Sequence, residues 1–295
     1  MDYILHLGIL ICIYTILSQT LSIVIGYSGQ LSLAHAGFYG IGAYSTALLT
    51  VNFGLSIFIT LPLAMLISGI VALIVSKIAV KTVDDYYIII TLGIQVVIFS
   101  ILNNWQSVTN GPLGISAIPN IELFGFSFNS KLSFLLISIF FVIIVWYIIN
   151  NLISSPFGRV LIALSEDEIF TKSLGKNVYQ AKIVSFTISG MLASTAGVLY
   201  AHYISYIDPT SFTINESIFI LSIVIIGRMR NLKTIFLATV FLVLLPEALR
   251  CVGMPSNIAA NMKQIIYGIA LILVIFQYGY KKKELKTNRM EKANA

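Results

Sequence analysis

GYSGQLSLAHAGFYGIGAYSTALL, residues 26–49, is the stretch of this chain that decides its fold. It carries no charged residue, yet it is richer in glycine and polar side chains than a helix that faces only lipid. Small residues recur in it at every fourth position: Ser28, Ser32, Ala36 and Gly40. On a helix they would form one stripe. Such a stripe lets two membrane helices pack closely, because lipid supplies no hydrophobic force between them.

Polar side chains in the same stretch suggest a second use. Gln30, Ser32 and His35 would lie at membrane depth, where hydrocarbon tolerates polar groups only against protein or water. Two interpretations are open and compatible, a tightly packed interior helix and a helix that lines a polar path. The candidate path and packing residues are Gly26, Gly29, Gln30, Ser32, His35, Ala36 and Gly40.

The composition is that of a membrane protein. The 295 residues are 58% hydrophobic and 10% charged, whereas soluble domains average about 25% charged residues. Residues 3–76 contain no Asp, Glu, Lys or Arg, which is enough for about three spans of roughly 20 residues. We predict an all-α integral membrane domain over residues 1–280 and a basic tail over 281–295. The first apolar run lacks a basic region before it, so no removable secretory signal is expected.

Hydropathy predicts eight or nine spans. The apolar runs are residues 3–25, 31–51, 56–76, 86–102, 132–149, 183–203, 217–227, 234–245 and 264–278. The glycines of the second run leave a broken or re-entrant helix open. The sixth run has its own stripe of small residues four apart: Ser185, Ser189, Ala193, Gly197 and Ala201. This pattern is typical of a second close-packed helix, and the sequence does not say whether the two striped helices pair with each other.

Basic residues in short loops predict the orientation. They concentrate at Lys77 and Lys81, over residues 159–182 and 228–233, and in the tail, which we assign to the cytoplasm. The segments 104–130, 204–215 and 247–261 are poor in Lys and Arg, and we assign them to the outside. These sides alternate correctly through the six crossings after Lys77. Before Lys77 the rule is silent, so the side of the amino terminus stays open.

Several kinds of chemistry have no motif in the chain. No phosphate-binding Gly-rich loop occurs, so no nucleotide is expected on this chain. The histidines and the two cysteines are scattered, and we predict no metal, no cofactor and no enzymatic centre. The basic tail is explained by anionic lipid headgroups and does not require nucleic acid. Intramembrane carboxylates are scarce, which weakens an ion-coupled carrier without excluding it.

Four stretches resemble the permease subunits of branched-chain amino-acid ABC transporters, in their LivM-like branch. Residues 26–44 are the most specific, and residues 90–119, 155–178 and 244–250 support them. One region departs from the family pattern. After Ile226 the family has paired glycines and a Gly-Pro turn, whereas this chain reads GRMRNLKTIFLATV over residues 227–240. We expect the packing there to differ.

The resemblance implies one half of a heterodimeric path in the inner, cytoplasmic membrane, with the carboxyl terminus in the cytoplasm. A second permease subunit, two cytoplasmic ATPase subunits and an external solute-binding protein would complete an importer for branched-chain or related amino acids. The third stretch corresponds to the loop that couples to the ATPase, with Arg159, Glu166, Asp167, Glu168 and Gly175. The second stretch corresponds to an external loop, with Asn104, Trp105, Gly111, Pro112 and Gly114.

From the residues alone, a short charged helix would begin within residues 165–168, with Ser165 as its cap, and Gly175 would end it. Other functions stay open. One is an ion-coupled secondary transporter of a small solute that acts alone. Another is a membrane scaffold whose path has decayed. A third is an ABC permease for urea or short amides.

Overall fold

A computed structural model gives the fold of residues 2–82, 84–123, 126–127, 130–251 and 268. The predicted basic tail, the domain boundary at residue 280 and nearly all of the predicted last span lie outside these described residues. The helices are α1 Asp2–Ser22, α2 His35–Phe53, α3 Ile57–Ala79, α4 Asp84–Asn104, α5 Gln106–Thr109, α6 Lys131–Ser154, α7 Pro156–Glu166, α8 Glu168–Ser173, α9 Val178–Ile204, α10 Ile214–Ile226 and α11 Leu232–Cys251. A π-helical turn, Ile23–Tyr27, extends α1.

Short strands and 3-10 turns make small exceptions to the all-α prediction. The two-residue strands are β1 Ile115–Ser116, β2 Glu122–Leu123, β3 Phe126–Ser127 and β4 Tyr206–Ile207. β1 pairs antiparallel with β4, and β2 pairs antiparallel with β3. The 3-10 turns are Gly111–Leu113 and Pro209–Phe212. All of these elements belong to the loops that connect the long helices.

Five helical segments of the described chain are long and apolar enough to cross a membrane: Asp2–Tyr27, Ile57–Ala79, Tyr86–Asn104, Lys131–Ser154 and Val178–Ile204. The first and the last of these are mostly buried inside the protein, whereas the other three are mostly exposed. On α6, for example, Leu136, Phe140 and Tyr147 point outward. Helices α1 and α9 therefore form the centre of the bundle, and α3, α4 and α6 lie around them.

Helices α2 and α9 pack against each other at two glycines. A Cβ atom on Gly197 of α9 would lie 2.2 Å from the carbonyl oxygen of Tyr39, and one on Gly42 of α2 would lie 2.4 Å from that of Ser194. Every member of the predicted stripe on α9 is buried. The small residues therefore let two backbones touch, which is how membrane helices gain packing energy without a hydrophobic force. The two helices pair with each other, a point that the sequence left open.

The loops separate into two groups at opposite ends of the bundle. At one end β1 joins β4, and His202 Nδ1 lies 2.8 Å from the carbonyl oxygen of Pro119. At the other end, Val80 lies in one cavity wall with Glu168 and Lys182. The segments that charge assigns to one side of the membrane are thus neighbours in space. We call the end that carries Val80, Glu168 and Lys182 the basic end.

The prediction of one continuous second span is wrong in its first part. Residues 31–34 are not helical, and α2 begins only at His35. Ser28 and Ser32 therefore do not share a helical stripe with Ala36 and Gly40. The broken helix that the glycines left open is the arrangement observed.

Candidate functional site

A non-helical segment, residues 28–34, interrupts the bundle between the π-helical turn and α2. Gly29 has φ +73°, a left-handed conformation that ends the preceding helix. Irregular backbone survives at membrane depth only when protein or water satisfies its polar groups. Here Gln30 N donates to Val24 O at 3.0 Å, and Leu33 N donates to Thr91 Oγ1 at 3.2 Å. We call residues 28–34 the interrupted segment.

The interrupted segment runs from the basic end into the middle of the bundle. At its start, a Cβ atom on Gly29 would lie 3.2 Å from the Cα atom of Ser165 in α7. Beyond its end, His35 Nε2 lies 2.9 Å from Thr20 Oγ1, and the carbonyl oxygen of Thr20 accepts a bond of 2.6 Å from Ser189 Oγ. Because α1 and α9 cross the bundle, these contacts place the start of α2 in its interior.

Most of the predicted path residues of this region are enclosed by the chain itself, whereas Gly29 is exposed. Gln30, Ser32 and His35 are all buried, and so is Ala36. Ser28 Oγ donates to Gln30 Oε1 at 3.0 Å, while Gln30 Nε2 has no hydrogen-bond partner among the described residues. The structure therefore brings these polar groups together around the interrupted segment instead of along one helical face.

Glycines of the candidate set act through close contacts. A Cβ atom on Gly26 would lie 2.1 Å from the carbonyl oxygen of Met229, in the turn between α10 and α11. One on Gly40 would lie 3.0 Å from the ring of Phe212. Gly26 thus joins the end of α1 to a distant loop, and Gly40 joins α2 to the 3-10 turn at the opposite end.

Two short helices, α7 and α8, form the predicted coupling region, and we call residues 155–177 the α7–α8 loop. Ser155 caps α7, since its Oγ accepts a bond from Gly158 N at 3.3 Å. Asp167 caps α8 by accepting a bond from Phe170 N at 2.9 Å. The prediction that Ser165 is the cap is wrong, because α7 continues through Glu166 with Leu161 and Leu164 buried. Gly175, with φ +74°, follows the end of α8 as expected.

The surface of α8 is apolar at its tip and charged around it. Ile169 is 83% exposed, and Phe170 and Leu174 are also exposed. Lys172 and Lys176 line a neighbouring cavity of about 440 Å³. Apolar side chains grouped on a surface mark a contact with protein or membrane. Glu168 on the same helix holds the buried Lys182 of α9 at 2.6 Å, which ties α8 to the bundle.

The other predicted coupling residues lie along α7 and at its end. Arg159 is exposed on α7. Glu166, the last residue of that helix, pairs with Arg230 Nη1 at 3.1 Å. Sequence reasoning missed Arg230, which lies in the region that departs from the family pattern. Its neighbours there are far away in sequence, so only the run of basic residues at 228–233 could have drawn attention to it.

The predicted external residues form the turns that follow α4. Asn104 ends α4 with a bond of 2.8 Å from Nδ2 to Ser100 O, and Trp105 is exposed. Gly111 and Pro112 begin a 3-10 turn, and Gly111 has φ +56°. At Gly114, φ is +67° and a Cβ atom would lie 2.1 Å from the carbonyl oxygen of Ile207. This glycine therefore permits the pairing of β1 with β4.

Comparison with known proteins gives one family model and several relatives. Residues 3–275 match the family described as "Branched-chain amino acid transport system / permease component". The chain is 37% identical over 261 residues to the LivM permease protein of a high-affinity branched-chain amino acid transport system from Salmonella typhimurium, covering 81% of this chain and 61% of that protein. The chain thus spans about three fifths of the length of that relative. No solved structure matches.

More distant relatives extend the comparison. A probable branched-chain amino acid transport permease protein LivH of Methanocaldococcus jannaschii is 26% identical over 237 residues, covering 71% of this chain and 73% of that protein. The ribose import permease protein RbsC of Haemophilus influenzae is 29% identical over 182 residues, covering 58% of this chain and 51% of that protein. The names of these relatives all describe permeases.

Proposed function

Because this chain belongs to the family of branched-chain amino acid transport system permease components, we propose that it forms one half of the membrane path of an ATP-driven importer for branched-chain or related amino acids. The observation that carries the proposal is the contact between Gly29 of the interrupted segment and Ser165 of the α7–α8 loop. The loop that would bind an ATPase subunit is thereby in direct contact with the start of the irregular backbone that leads into the bundle.

The partners follow from the division of labour in such an importer. This chain supplies a permease, and ATP hydrolysis belongs to two separate cytoplasmic ATPase subunits. A second permease subunit completes the path, and an external solute-binding protein delivers the amino acid. The similarity to both a LivM and a LivH permease supports a pair of related permease chains.

The α7–α8 loop is the part that would bind an ATPase subunit. Its exposed tip offers Ile169, Phe170 and Leu174, an apolar surface that a groove on a partner would cover. Glu166 and Lys172 flank this surface and would select the groove by charge. Because Glu168 pairs with Lys182 of α9, force on α8 is transmitted to a central helix.

The orientation that fits this role places the basic end in the cytoplasm of a cell whose inner membrane holds the protein. His6 Nδ1 lies 2.6 Å from the hydroxyl oxygen of Tyr203, near the outer end of α9, so the amino terminus is then external. From there the chain alternates sides through α11. A ninth crossing at residues 264–278 would bring the carboxyl terminus into the cytoplasm, in keeping with the positive charge of the tail.

Reconstitution tests the proposal. We expect vesicles that contain this chain, its second permease and the ATPase subunits to take up leucine only with ATP and the solute-binding protein. Uptake by the chain alone under an ion gradient would instead identify an ion-coupled carrier. If labelled urea or acetamide is accumulated and leucine is not, the substrate is a short amide.

A matched pair of variants tests the α8 contact. Ile169→Asp adds a charge to the exposed tip, and we expect it to prevent co-purification of the ATPase subunits. Leu113→Asp makes the same change at a side chain that is 81% exposed at the opposite end, and we expect the ATPase subunits to remain bound. Equal ATPase recovery with both variants would contradict the assignment of α8 as the binding surface.

A further inference from the structure

Arg230 joins two segments that are far from it in sequence. Its Nε donates to the carbonyl oxygen of Gly26 at 2.8 Å, at the end of α1. Its Nη2 donates to Ser165 Oγ at 2.6 Å, and its Nη1 lies 3.1 Å from Glu166 Oε1, both at the end of α7. One side chain thus binds the residues that come just before the interrupted segment and those against which that segment packs.

The backbone around Arg230 also contacts the end of α1, at Gly26 and Tyr27. Tyr27 donates its hydroxyl to the carbonyl oxygen of Arg230. At Gly26 the approach is so close that a Cβ atom would lie 2.1 Å from the carbonyl oxygen of Met229. The turn therefore touches the end of α1 through main-chain atoms, and Arg230 adds the connection to α7. We call the contacts of Arg230 with Gly26, Ser165 and Glu166 the arginine clasp.

Arginine is specifically suited to this position. Its planar guanidinium carries five N–H donors in a fixed fork, so separate nitrogens reach separate acceptors at the same time. A lysine has one compact ammonium group and cannot reproduce that fork. The ion pair itself contributes little, because the Arg230 and Glu166 side chains are 42% and 65% exposed. The bonds to Gly26 and Ser165 define the geometry.

We propose that Arg230 is a positioning residue that makes the α7–α8 loop and the interrupted segment move together. This inference rests on the proposed function, in which an ATPase subunit moves α8. The clasp fixes the end of α7 to the carbonyl of Gly26, two residues before the interrupted segment begins. Displacement of α7 then displaces residues 28–34, the irregular backbone that leads into the bundle.

A second connection competes with this one. Tyr27 also packs in a buried cluster with Leu161, Leu164, Val178 and Ala181. This cluster, together with the direct contact of Gly29 with Ser165, would transmit the same movement by packing alone. An informative variant must therefore leave the cluster intact and change only the guanidinium.

Arg230→Lys is that variant, and Arg228→Lys is its matched control. Arg228 is exposed and lies two residues away. Among the described residues its side chain has no hydrogen-bond or ion-pair partner. In vesicles that contain the complete transporter, we expect Arg230→Lys to lower leucine uptake per ATP hydrolysed by about tenfold. ATPase binding and the melting temperature should stay at the wild-type values. Arg228→Lys should leave all of these quantities unchanged.

Hydrogen exchange on the full chain in detergent tests the clasp without any transport. We expect the amides of residues 28–34 to exchange about tenfold faster in Arg230→Lys than in wild type or Arg228→Lys. Residues 185–200 of α9 should exchange at an unchanged rate. If wild-type vesicles show no ATP-driven uptake, the proposed function fails, while the exchange experiment still decides whether Arg230 holds the interrupted segment.

Three results would overturn the inference. Wild-type uptake per ATP in Arg230→Lys would assign the coupling to the Tyr27 cluster and to the direct contact of Gly29 with Ser165. If Arg230→Lys loses both the bound ATPase subunits and leucine uptake, Arg230 supports assembly only. Unchanged exchange of residues 28–34 would show that the clasp does not hold the interrupted segment.

Discussion

Replacing Gly197 with alanine tests the packing at the centre of the bundle. The added Cβ atom would lie 2.2 Å from the carbonyl oxygen of Tyr39 and 2.6 Å from the amide nitrogen of Ala43. Ordinary contacts of a Cβ atom begin at 3.4 Å, so α2 must move away by roughly 1.2 Å, the difference between 3.4 and 2.2 Å. Both obstructing atoms belong to the backbone, which cannot rotate aside as a side chain would.

The expected loss of stability combines two opposing effects. Overpacking a tight contact costs about 1–3 kcal/mol, and the obstruction by backbone favours the upper value. Replacing glycine with alanine inside a helix raises the free energy of unfolding by roughly 1 kcal/mol. The net loss is about 2 kcal/mol. At roughly 2–4 °C per kcal/mol, the melting temperature of the purified chain should fall by about 4–8 °C.

Gly93→Ala is the matched control for this experiment. It makes the same change inside α4, where a Cβ atom would have no heavy atom within 4 Å. Only the helix preference of alanine then acts, so the melting temperature should stay equal or rise. Thermal unfolding followed by circular dichroism in one detergent compares the two variants. If Gly197→Ala melts at or above the temperature of Gly93→Ala, the backbones of α2 and α9 are not in contact as described.

Three further predictions concern the two ends of the bundle. In a chain whose native Cys12 and Cys251 are replaced by serine, a membrane-impermeant maleimide should label Leu113→Cys in intact cells but Lys172→Cys only after permeabilisation, and the reverse pattern would contradict the proposed orientation. Asp167→Ala should destabilise α8 by about 1 kcal/mol, seen as faster amide exchange at Phe170, while Asp167→Asn should retain protection because its side-chain oxygen still accepts the bond. Gly175→Ala should cost roughly 1–2 kcal/mol at φ +74° and so weaken ATPase binding by about tenfold. Gly54→Ala carries the same strain at φ +62° elsewhere and should not affect ATPase binding.

Hydropathy located the long helices to within a few residues. The predicted spans 56–76 and 132–149 correspond to Ile57–Ala79 and Lys131–Ser154. Their apolar side chains are continuous and charge-free, so a single property of the sequence decides them. The small residues of α9 likewise predicted a buried face, because residues four positions apart lie on the same face of a helix.

The interrupted segment shows where such patterns stop being sufficient. Ser28 and Ser32 fit a helical stripe as well as Ala36 does, and local sequence favours neither conformation. The decision depends on distant acceptors, such as Thr91 Oγ1 for the amide of Leu33. The cap of α8 is a similar case, since Ser165 and Asp167 are both good caps. The burial of Leu161 and Leu164 keeps α7 helical past Ser165 and leaves the role to Asp167.

Composition and hydropathy are properties of single segments, so the sequence by itself predicted a helical membrane protein. The four stretches that resemble the permease family indicated the family, and the family match over residues 3–275 confirms it. Only the tertiary structure decided that α2 pairs with α9 and that Arg230 reaches Gly26 and Ser165. Arg230 is separated from these two residues by 204 and 65 positions. A contact over such a distance depends on how the helices between them pack, and no local pattern records that packing.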